Sequence, residues 1–106
     1  MSRSRITTKG EDRLDNVHPG EILREDFLIG SQIPIDEVSL GSGIERQRLE
    51  DLLRGRIPVD ADIDLRLGRY FGMSEGFFLR LQNHFDLEEV RRSRGGELDR
   101  IVPRAA

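Results

Sequence analysis

Three consecutive side chains, Arg46, Gln47 and Arg48, carry the most telling chemistry in this sequence. A guanidinium fork can grip the two acceptors on a guanine edge. A glutamine amide can do the same for adenine, and each good pair is worth roughly 1–3 kcal/mol of discrimination. Arg54 and Arg56 follow on either side of Gly55 and read as phosphate clamps. The plainer alternatives are a solvated helix face with an i,i+4 pair such as Arg46 with Glu50, and simple cationic charge at a helix C-terminus. The choice depends on the scaffold that holds these residues.

That scaffold is residues 33–56, IPIDEVSLGSGIERQRLEDLLRGR. It reads as two short helices joined by a tight turn at Gly43. Val38, Ile44, Leu49 and Leu52 supply apolar contacts. Ser39 is small enough to let two helix backbones approach, and Gly43 tolerates a positive φ. This is the pattern of a helix-turn-helix, whose second helix presents its first turn to base edges. The first helix departs from the usual pattern. Such helices often open with Ser or Thr and then Gln, where this chain has Pro34 and Ile35, and Ser42 stands where an apolar residue is usual. By spacing alone, a DNA-binding unit and a helical interaction module fit equally well.

The 106 residues suffice for one small domain, and with 36% hydrophobic and 35% charged residues they can form a modest helical core. With no cysteine, disulfides and cysteine-based zinc sites are excluded. No apolar run approaches the roughly 20 residues that span a bilayer, and the basic N-terminus lacks the apolar stretch of a signal peptide. A cytoplasmic protein without a membrane partner is expected. The net charge of −3 argues against an indiscriminate nucleic-acid coat but leaves a local basic surface open. Lys9 is the only lysine, so the cations are nearly all arginine forks suited to phosphate and guanine.

Apolar spacing predicts helices over about 19–28, 34–42, 45–54, 61–71 and 75–84. Pro19 and Glu21 suit the start of the first, and Gly30 with Ser31 its end. Asp60 is the expected N-cap of the fourth and Ser74 of the fifth, with Gly72 between them. Of Phe77 and Phe78, about 100° apart on a helix, one should face the core and the other a neighbouring helix or a second subunit. The expected fold is all-α, with five helices. Residues 1–17 read as an N-terminal arm, ordered only on a partner; 18–86 as the helix-turn-helix domain; and 87–106 as a partly helical extension. In that extension Leu87, Val90, Leu98 and Ile101 suit a further helical stripe, broken near Gly95 and Gly96.

His18 and His84 lack companion ligands, which points to structural roles and no metal. No HExxH, P-loop, GxSxG or GxGxxG motif occurs, and the carboxylates spread along helix faces. Neither an enzyme nor a cofactor is expected.

Three stretches together resemble a known family: VHPGEILREDFL (17–28), the helix-turn-helix, and DADIDLRLGRYFGMSEGFFLRLQNHFDLE (60–88). They are similar to the HigA-type antitoxins of toxin–antitoxin modules, within the Xre, lambda-repressor-like helix-turn-helix class. The flanking motifs are more specific than the helix-turn-helix itself, and Phe78 stands where members often have Trp. The resemblance implies a lambda-repressor-like domain in a homodimer. It would neutralise a cognate RelE-like mRNA-cleaving toxin and repress its own promoter at a palindromic operator. Arg46, Gln47, Arg48, Arg54 and Arg56 would contact DNA. The alternatives are a stand-alone Xre-type regulator without a toxin and an interaction module that has lost DNA binding.

Overall fold

A computed structural model describes residues 14–105. Among these the regular elements are all helical, in the order α1 (Pro19–Ile22), a wider helical segment continuous with it (Leu23–Ile29), α2 (Ile35–Ser42), α3 (Arg46–Leu53), α4 (Ala61–Phe71) and α5 (Phe77–Leu98). The expected five-helix lambda-repressor-like architecture is the one that forms.

Each short helix is set by local signals. His18 caps α1, its Nδ1 accepting from the Gly20 N–H at 2.9 Å, and Pro19 takes the first helical position. The helix then widens: the Gly30 N–H reaches the Glu25 carbonyl five residues back, at 3.0 Å. Phe27 of this segment lies 5.0 Å from the Phe71 ring and 5.4 Å from Phe78. Gln32, not Gly30, takes the left-handed backbone in the turn that follows, with φ 57° against −59°. Gly43 ends α2 at φ 74°, as its position in the turn requires.

The core joins all five helices: Leu23, Leu28, Val38, Ile44, Leu49, Leu52, Val59, Ile63, Leu67 and Phe78 are buried together. Gly20 is essential to the contact of α1 with α3, because a Cβ there would sit 1.8 Å from the Leu52 carbonyl oxygen. Phe78 is buried in the core, and Phe77 is half-buried, 6.3 Å from Phe27.

Two expectations about α5 need correction. Ser74 does not cap it. Gly76, at φ 88°, holds the N-cap position, and the buried carboxylate of Asp64 reaches across from α4 to do the capping. Asp64 accepts from the N–H groups of Gly76, Phe78 and Leu79 at 2.7, 2.8 and 3.0 Å. Nor does the helix stop near 84. It continues from Phe77 until Arg94 leaves helical geometry at φ −130°, so the expected break beside Gly95 and Gly96 is present, and a short helical piece follows to Leu98. Of the expected C-terminal stripe, Leu87, Val90 and Leu98 lie on α5 and Ile101 lies beyond its end.

Of the N-terminal arm, residues 1–13 lie outside the described residues. Its inner end is held against α5: Asn16 donates to the Phe85 carbonyl at 2.9 Å and to Glu89 at 3.0 Å, and Arg92 donates to the Leu14 carbonyl. Among the described residues, no helix is long and apolar enough to cross a membrane.

Candidate nucleic-acid interface

The turn that sets α3 against α2 is closed by serines. The Ser39 hydroxyl donates to the Ile44 carbonyl at 2.6 Å, and Ser42 Oγ accepts from the Ile44 N–H at 3.2 Å. Ser42 therefore occupies an apolar position because its hydroxyl satisfies a backbone donor that the turn would otherwise bury. Arg66, on α4, clips the same turn from outside, its Nη1 lying 3.3 and 3.4 Å from the carbonyls of Ser42 and Gly43.

Arg46, Gln47 and Arg48 come together on the first turn of α3, as the spacing requires. Each already has a carboxylate partner. Arg46 donates to Asp36 on α2 and, at 3.1 Å, to Glu50. Gln47 donates to Asp51 at 3.1 Å. Arg48 is held at both ends of its fork, Nη2 on Asp60 and Nη1 on Asp62, each at 2.9 Å. Its ionised form is favoured, chiefly by the hydrogen bond to Asp62. The Asp62 carboxyl is in turn held below its ordinary range by hydrogen bonds from Arg48 and then Arg66.

Arg54 and Arg56 sit past the other end of α3, roughly 12 Å away at the helical rise per residue. Arg56 approaches Asp51 only to 3.9 Å. Arg54 is exposed and, among the described residues, has no carboxylate within ion-pair distance. It borders a groove of about 500 Å³ with His18, Arg24, Ile35 and Glu50. The His18 imidazole there is pushed below its usual pKa by burial, partly opposed by the charge of Asp86. The helix therefore has a first turn whose donors are positioned and neutralised, and a far end whose cations face outward.

Sequence reasoning missed four members of this surface: Asp36, Asp60 in its second role, Asp62 and Arg66. Asp60 does cap α4, its Oδ1 accepting from the Ile63 N–H at 2.9 Å, while its other oxygen serves Arg48. The spacing of Asp62 and Arg66 is a legible i,i+4 pair. Nothing in the local sequence points to Arg48, which lies 14 residues from Asp62.

A short two-helix turn packed by flanking helices, with polar forks on the first turn of its second helix, defines a helix-turn-helix protein of the lambda-repressor-like class. Comparison with known proteins narrows this. No protein-family model matches the chain. The chain is similar to the antitoxin HigA of Pseudomonas aeruginosa, solved with the higBA promoter: 30% identity and a TM-score of 0.77, over 86% of this chain and all of that one. It is also similar to the antitoxin GraA in complex with its operator, at 32% identity and a TM-score of 0.76, over 88% of this chain and 94% of that one. A curated relative, virulence-associated protein I of Dichelobacter nodosus, is 29% identical over 94 residues, covering 89% of this chain and 86% of that protein. The chain belongs to the HigA-type antitoxin family.

Proposed function

We propose that this antitoxin binds its own operator as a homodimer, represses its promoter there, and neutralises a cognate RelE-like mRNA-cleaving toxin. The observation that carries the DNA part is the first turn of α3. It presents two arginine forks and a glutamine amide on the helix that such folds lay in the major groove, in a chain about a third identical to antitoxins solved on promoter or operator DNA. Arg46, Gln47 and Arg48 read base edges. Arg54 and Arg56 hold phosphates and fix the register.

The dimer is supported by geometry and by the surface of α5. One helix-turn-helix reads only a few base pairs, so two copies on half-sites one turn apart are the common solution. Leu87, Val90 and Leu98 on α5, with Ile101 and Val102 beyond it, leave apolar surface open to water. The toxin reading rests on family membership.

The test is a mobility shift with the region upstream of the chain's coding sequence, followed by co-purification with the product of the neighbouring gene. Salt-sensitive, sequence-selective retardation and a captured small ribonuclease are expected. One observation favours a second reading. Carboxylates hold Arg46 and Arg48, and α2 opens on Pro34 and Ile35 without a polar side chain for phosphate, as in a module that has lost DNA binding. No retardation at low salt, with the toxin still captured, would establish that reading.

A further inference from the structure

We propose that Asp60 and Asp62 are specificity-determining residues: together they admit a neutral base edge to the Arg48 fork and turn away a phosphate. The inference rests on the operator-binding reading above and names what makes that binding selective.

Both carboxylates are fixed independently of Arg48. Asp60 is tied to the N-terminus of α4 through its capping bond to Ile63. Asp62 is held by Arg66 Nε, which lies 3.0 and 3.1 Å from its two oxygens, and Arg66 is itself clipped to the turn after α2. Asp60 cannot swing aside without breaking the cap of α4, nor Asp62 without breaking its pair with Arg66. Arg48, Arg66, Asp60 and Asp62 thus form a cluster of zero net charge at the head of the recognition helix.

Two consequences follow from elementary electrostatics. Affinity for random DNA comes from cations that neutralise phosphates and release counterions. A cluster already neutral inside the protein gains little from a phosphate, and its two carboxylates repel one. A guanine edge offers two acceptors and no charge. Of the five guanidinium N–H donors the carboxylates take one on each Nη, leaving three for such an edge. Arg46, between Asp36 and Glu50, repeats the arrangement beside it.

The experiment measures fluorescence anisotropy of wild-type chain, Asp62→Asn and the double variant Asp60→Asn/Asp62→Asn. The probes are a duplex recovered with wild type from a random library and its base-scrambled version, between about 50 and 200 mM salt. Asparagine keeps a capping oxygen at position 60. For the double variant, affinity for the scrambled duplex should rise about tenfold and that for the selected duplex less. The log–log salt slope on scrambled DNA should steepen by about one to two. Asp62→Asn, which leaves the α4 cap untouched, should show the same changes at about half size, and carries the test if the double variant fails to fold. Unchanged binding to scrambled DNA, or equal gains on both duplexes, overturns the inference while leaving operator binding intact. If wild type recovers no duplex even at low salt, operator binding itself fails and the inference falls with it.

Discussion

The two ends of the recognition helix are built on opposite plans. At its head, Arg46 and Arg48 have carboxylates from α2, α3 and the start of α4 on their forks. At its tail, Arg54 and Arg56 face outward, with one long contact to Asp51 between them. The backbone reverses the contrast. The tail is packed so tightly that only glycine fits at position 20 against the Leu52 carbonyl, while the head is held mainly by side chains. A cation that is paired within the protein distinguishes its acceptors by charge and geometry, and one that is open attracts any phosphate. On the proposed operator binding, selectivity belongs to the head of α3 and sequence-independent affinity to its tail.

The largest effect is expected where the tail meets α1. Gly20→Ala places a methyl inside the Leu52 carbonyl. It should destabilise the fold by about 3 kcal/mol or more, lowering the melting temperature by over about 10 °C. A melt within a few degrees of wild type would show that α1 can move off α3.

At the head, Arg48→Ala should cost about 1–3 kcal/mol more on the selected duplex than on a scrambled one, where the loss comes only from the carboxylates it leaves unpaired, and should relax the preference at one base position. A base-by-base competition assay reads this out. At the tail, Arg54→Ala and Arg56→Ala should each weaken binding by a similar factor on every sequence and reduce the salt slope by about one. A sequence-dependent loss at the tail would erase the distinction between the two ends.

The smallest effect is one of pH. His18 lies against Gly55 at the tail, and its folded pKa is below the ordinary 6.5, mainly through burial. The unfolded chain thus binds that proton more readily. The His18 contribution is complete above pH 6.5 and is lost as pH falls from 6.5 through the lower folded value. Asp62 at the head has its pKa lowered from 3.8, so its contribution is present above that value and disappears only as pH falls through the folded one. Stability should therefore show a shallow decline below pH 6.5 that His18→Asn removes, since asparagine can still cap α1. Chemical denaturation at several pH values measures it.

What could be read in the sequence follows the range of the interactions. Asp60 and Gly43 act within a few residues of themselves, and both roles were legible. The triplet on the first turn of α3 was legible for the same reason, because helical spacing alone places it. Asp64 was not. It caps a helix from another element, across 12 to 15 residues, and no local pattern distinguishes it from a surface acid. Ser74 was the nearer candidate by type, but Gly76 in left-handed geometry starts the helix after it. The pair of glycines at 95 and 96 read as a break on propensity. Helical geometry does fail beside them, at Arg94, whereas the continuity of the helix from 84 to 93 was not legible. The Arg48 clamp was hidden likewise, since Asp60 and Asp62 meet it only after α3 and α4 have packed.

Sequence reading by the head of α3 is the proposal on which the contrast between the two ends depends. Its most direct test is the ratio of affinities for selected and scrambled duplexes, measured for wild type and Arg48→Ala at one salt concentration. Wild type should discriminate strongly, and Arg48→Ala should lose most of that ratio. An Arg48→Ala protein that keeps the full ratio would contradict the account.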